Sequence, residues 1–224
     1  MPTARDALLD AALSALAGLP WSAVRMVDVA SAAGVSRQTL YNEFGSKDGL
    51  ARALVRSAAD GYLAGVERAL GSAGGTGDRL AATAAWTIRA VRADALVRGL
   101  LTGCWGERLP RPAHPAAPTA SLVPAQRRAD AGTPTPAELL GQVRARAVAA
   151  LDEGRPPHDP EVLAATCEIA LRLALSYALV PAPPGTEGEA APLVREVAEW
   201  RPAGRTLGAR DGAAPADREP PGPA

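Results

Sequence analysis

Aromatic residues make up only 4% of this 224-residue chain, with four Trp, three Tyr and one Phe. A core built without them has to come from Ala, Leu and Val. The residues that mark strands are scarce apart from Val, whereas Ala and Leu favour helix, so composition points to an all-α fold. Lysine is almost absent: Lys47 is the sole example, and Arg carries the remaining positive charge. Formal net charge is zero, so any surface for nucleic acid has to be local. Two cysteines, Cys104 and Cys167, are too few for a disulfide scaffold and are expected to be reduced, buried apolar residues. The two histidines, His114 and His158, sit in Pro-rich stretches without other ligands at metal-binding spacing. No nucleophile elbow, Walker lysine or HExxH pattern occurs, and the glycines of 71–77 lack the strand-before, helix-after context of a nucleotide loop. Neither an enzyme nor a cofactor is expected. Arg5, Asp6 and Asp10 interrupt what would be the core of a secretory signal, and no apolar run is read as reaching the ~20 residues of a membrane span. The expected place is the cytoplasm, with no membrane.

What is present is a succession of helix signals. Thr3 with Asp6 forms a capping-box pattern ahead of a helix over 3–17 carrying Leu9, Leu13 and Leu16 on one face. A short helix follows over 27–33, then one from Ser36 to Phe44, then a long one from Lys47 to Leu70 with Leu50, Leu54, Ala58, Tyr62 and Val66 near one stripe. Asp78 is read as the cap of a fifth helix and Asp94 as that of a sixth, ending at Gly103. Residues 106–136 lack periodicity and read as a long loop, with a short helix near 122–128. Thr135-Pro136-Ala137-Glu138 opens a helix to about Glu153, and Asp159-Pro160-Glu161 opens another over 160–180. A last helix spans 187–200, and residues 201–224 read as a tail too rich in Pro, Gly and charge to fold.

The informative stretch is 25–47, with the helix-turn-helix over about 25–44. Two short helices joined by a turn at Gly34, a residue that tolerates positive φ, make a helix-turn-helix. Leu40 and Phe44, four apart, share the inward face of the second helix. Arg37, Gln38, Tyr41 and Asn42 then face outward, with Thr39 at the edge. These residue types suit a DNA groove. Arg forks onto guanine, Gln and Asn pair with adenine, and a Thr methyl packs on the thymine methyl. A Tyr hydroxyl reaches phosphate. Lys47, at the next helix N-terminus, favours a phosphate as well. The alternative is a purely structural three-helix cluster.

The stretch resembles the TetR family of bacterial regulators. The match runs through Asp28, Val29, Ala30, Ala33, Gly34, Val35, Ser36, Thr39, Leu40, Tyr41, Phe44, Ser46 and Lys47. The resemblance implies that Tyr41 and Lys47 hold the phosphate backbone and that Ser36, Arg37, Gln38, Thr39 and Asn42 line the DNA side. Two positions depart from the pattern. Val24 and Arg25 stand where the family has a Thr, so Arg25 becomes the candidate phosphate contact there. Gly49 stands where an acidic residue is usual. The resemblance further implies a DNA-binding domain over 1–46 and a larger helical domain over 47–200 that binds a small molecule and dimerises through helices 160–180 and 187–200. Most of the faces of 162–180 are apolar, which calls for burial on several sides. Trp86, Cys104 and Trp105 are candidate lining for an effector cavity, with ordinary core packing as the alternative. The function expected is a DNA-binding regulator, a ligand-responsive repressor, although activator and repressor are not separated. The alternative is an all-helical carrier or enzyme with a vestigial helix-turn-helix.

Overall fold

The computed structural model describes residues 3–111, 132–151, 159–180 and 190–199. Trp200, His114, His158, Arg127, Arg128, the helix expected near 122–128 and the tail over 201–224 lie outside the described residues. Among the described residues the regular elements are all helical. They are α1 (Ala4–Gly18), α2 (Met26–Ala32), α3 (Arg37–Phe44), α4 (Lys47–Leu70), α5 (Thr76–Ala93), α6 (Ala95–Thr102), α7 (Pro136–Leu151), α8 (Pro160–Leu179) and α9 (Ala190–Glu199), with a 3-10 turn at Trp21–Ala23.

Most helix starts follow from their first side chain. Thr3 accepts from Asp6 N–H while the Asp6 carboxylate accepts from Thr3 N–H, and those bonds hold the Asp6 carboxyl below its usual range. Ser36 caps α3 through Thr39 N–H, Ser46 caps α4 through Gly49 N–H, and Asp94 and Asp159 cap α6 and α8. Thr135 and Glu138 reciprocate at the start of α7. One exception is α5. It begins at Thr76 with Gly75 at the cap position, and Asp78, read from the sequence as its cap, instead accepts from Arg195 of α9 at 2.8 Å. That bond holds the Asp78 carboxyl below its usual range.

The helices enclose one continuous core. Leu8, Ala12, Val29, Leu40, Phe44, Leu50 and Leu54 fill the N-terminal part, and Leu70, Leu80, Val91, Leu100, Val143 and Leu171 continue it. The helix that spans both is α4: its first turns pack on α1 and α3, and its later ones on α5, α6 and α7. Beyond it α8 packs on α5 and α7, and α9 covers α5 and α8.

One expectation needs correction at α8. By length and composition this helix is apolar enough to cross a membrane, where the sequence reading saw no such run. Its inner face, Leu163, Cys167, Ala170, Leu171 and Ala174, is nonetheless buried in the bundle. On its flank Glu168 accepts from Arg172 at 2.7 Å and from Arg144 of α7 at 3.1 Å. Its other face is open, with Val162, Ile169, Leu179 and Val180 exposed.

Candidate nucleic-acid interface

α3 is aimed by what lies beneath it. Leu40 and Phe44 are fully buried against the core, which fixes the helix rotation and leaves the opposite face to solvent. Gly34, at φ 67°, makes the turn from α2, and Gly45, at φ 69°, makes the turn into α4. Arg5 of α1 secures the far end: its guanidinium lies 4.8 Å from the centre of the Phe44 ring and 3.6 Å from the Glu43 carboxylate.

On the outer face Arg37, Gln38, Tyr41 and Asn42 are exposed, and Thr39 is half-buried at the edge. Gln38 donates to Asn42 Oδ1 at 2.8 Å, so the two amides stand as one pair along the helix. The Ser36 and Thr39 hydroxyls bond each other at 2.8 Å while Ser36 also caps the helix. Their mutual bond uses one of the two hydroxyl hydrogens and leaves the other able to donate.

Lys47 is half-buried. Its Nζ donates to Ser22 O at 3.2 Å and lies 5.1 Å from the centre of the Trp21 ring. An ammonium has three donors, so this seat fixes the position of the charge and leaves donors for a second partner. Arg25 is exposed and grips Asp28 with two bonds, 2.7 and 3.1 Å, which raise its already high pKa. Arg25 occupies the N-cap position of α2 without a side-chain cap bond, as the loss of the family's Thr implies.

Trp21 is the functional neighbour that sequence reasoning missed. Its backbone N–H donates to Arg108 O at 2.8 Å, so the segment after α6 holds the turn on which Lys47 rests. No local pattern signals a bond across so many residues.

The three candidate effector residues separate. Trp86 lines a cavity of about 490 Å3 bounded by α1, α4, α5 and α6, and donates from Nε1 to Tyr62 O at 3.1 Å. Cys104 is exposed, contrary to its expected burial. Gly103, at φ 73°, turns the chain outward after α6, and Cys104 N–H donates to Thr102 Oγ1 at 3.1 Å. Trp105 folds back over Gly99, where an added Cβ would come within 2.8 Å of its ring. Neither Cys104 nor Trp105 lines that cavity or a second one, of about 250 Å3, between α4 and α8.

Residues 8–54 match the family model for bacterial regulatory proteins of the tetR family. The match is to the N-terminal part of the chain, from within α1 to within α4. Over 66 residues it is 48% identical to the HTH-type transcriptional regulator AlkX of Mycobacterium tuberculosis, which is 30% of this chain and 31% of that protein. The chain thus spans about a third of the curated relative it matches. The crystal structure of the TetR family repressor AlkX from Dietzia sp. superposes with a TM-score of 0.48 at 24% identity, covering 87% of this chain and 93% of that one. The matched residues include those that build α2, α3 and the start of α4.

Proposed function

We propose that this TetR-family chain is a transcriptional repressor that binds operator DNA as a homodimer and is released by a small-molecule effector. The observation that carries the reading is the outer face of α3: Arg37, Gln38, Tyr41 and Asn42 exposed above a buried Leu40 and Phe44. The family model matched over residues 8–54 is one of bacterial regulatory proteins, which favours this reading over the carrier or enzyme alternative. In this reading residues 1–46 are the reader and 47–200 the sensor, and the protein works in the cytoplasm. Two copies present α3 to successive major grooves about 34 Å apart. Tyr41, Lys47 and Arg25 hold phosphates, and Arg37 with the Gln38–Asn42 pair meets base edges. α4 runs unbroken from reader to sensor, and Arg108 gives the sensor a second hold on Trp21. An effector releases DNA only so far as it binds one disposition of these elements better than the other.

The test is a titration against operator DNA selected from a random pool. Lys47→Ala is expected to weaken binding about tenfold on every sequence and to lower the salt slope by about one. Tyr41→Phe should weaken binding several-fold, again without altering sequence preference. Arg37→Ala should relax specificity at particular bases. Unchanged affinity in all three variants removes the α3 face from the DNA contact.

A further inference from the structure

The second cavity, between α4 and α8, has a volume of about 250 Å3 and is lined by Leu101, Leu140, Val143 and Leu171 together with Tyr62 and Thr87. Drug-sized sites run from roughly 300 to 1,000 Å3, so the space suits a smaller molecule. Its polar side chains are three. Arg172 is exposed at the mouth, with Nε and Nη2 both donating to Glu168. Tyr62 and Thr87 are buried, and their oxygens lie 3.0 Å apart.

The direction of that buried bond is decided by its neighbour. Thr87 Oγ1 donates to Thr83 O at 2.9 Å, and a carbonyl can only accept. The single Thr87 hydrogen is therefore spent, and the 3.0 Å contact is a bond that Tyr62 donates. What remains at the deep end is the lone pairs of the Tyr62 oxygen, an acceptor without a donor.

On the proposed reading of the chain as an effector-released regulator, we infer that this cavity is the effector site and that it takes a small neutral molecule with an apolar body and one hydrogen-bond donor, a hydroxyl or N–H, directed at Tyr62 Oη. A donor satisfies the buried oxygen. A ligand that carries only an acceptor strands it, because an unpaired buried polar atom costs more than a made bond returns. The apolar lining fits the body, and the Arg172 charge at the mouth disfavours a cation.

The test uses 4-propylphenol, its methyl ether and propylbenzene, which share a body and differ in donor capacity. Binding to the full-length protein is followed by calorimetry, and operator release by fluorescence anisotropy. The phenol is expected to bind about tenfold more tightly than the ether or the hydrocarbon, and to release operator in the same order. Thr87→Val frees the Tyr62 hydrogen, so the ether should gain on the phenol. Tyr62→Phe should abolish discrimination between them, and circular dichroism confirms that both variants fold. Equal affinity for phenol and ether in the native protein overturns the inference. So does failure of all three probes to bind, or a phenol preference that survives Tyr62→Phe. If the protein binds operator and the probes fail in this way, the regulator reading stands and the assignment of this cavity falls. If no operator is bound at all, the regulator reading falls whichever way the probes rank.

Discussion

Tyr62 places one hydroxyl among leucines and valines, and burial pushes its pKa up to about 12. The unfolded chain should ionise its tyrosines near 10. Above that pH the unfolded state gives up the Tyr62 proton while the native state keeps it. The unfolded state then binds fewer protons, and stability falls as pH rises from about 10 towards about 12. Below pH 10 this contribution is fully present. Denaturant unfolding at pH 9 and pH 11 should therefore show native protein losing about 1 kcal/mol more than Tyr62→Phe over that interval. The Cys167 thiol, pushed up to about 11 by burial, loses stability in the same direction in both proteins and cancels from the difference. Equal losses in the two proteins mean that Tyr62 ionises freely and is not held as described. The sequence placed Tyr62 on the buried stripe of α4 but named no partner for it. Thr87 belongs to another helix, and only the packing of α4 on α5 brings the two oxygens together.

At the scale of the element, the starts of helices were legible because a cap is local. Thr3, Ser36, Ser46, Asp94, Thr135 and Asp159 each bond an amide within three residues, so the signal is complete in four letters of sequence. Asp78 failed for the complementary reason. The helix begins two residues before it, at Thr76, which places Asp78 inside the first turn, and its partner Arg195 is 117 residues away on α9. The face of α3 was legible too, since two apolar residues four apart decide which side is buried. Cavity lining was not, because the turn at Gly103 decides where Cys104 points and nothing nearby in sequence forces that outcome. Close approach of helices is likewise invisible in one sequence. An added Cβ at Gly65 of α4 would run into the Trp86 indole of α5. Gly→Ala in a helix interior ordinarily adds about 1 kcal/mol of stability. Gly65→Ala should do the reverse and cost roughly 1–3 kcal/mol through overpacking, with a change in tryptophan emission. Thermal unfolding gives the sign directly, and a stabilised variant contradicts this packing.

For the whole molecule, the open side of α8 is the feature that a single copy leaves unexplained. Val162, Thr166, Ile169, Leu173, Ser176 and Val180 recur at spacings of four and three, which brings them onto one face. Val162, Ile169 and Val180 are 49%, 48% and 69% exposed, while the opposite face of the same helix is sealed in the core. Exposed Leu193 of the neighbouring α9 adds to the apolar surface. A charge at the middle of the face tests whether a second copy covers it. Ile169 is 48% exposed and is not among the buried core residues, so the fold and its helix signal should survive Ile169→Glu. If the proposed homodimer forms through this face, sedimentation equilibrium should find the native protein as a dimer and the variant as a monomer, since a buried lone carboxylate is costly on each side of a two-fold contact. Affinity for a two-half-site operator should fall about a hundredfold as the second reading head is lost, while the weaker binding to a single half-site is retained. A variant that stays dimeric with native operator affinity locates the subunit contact elsewhere on the molecule.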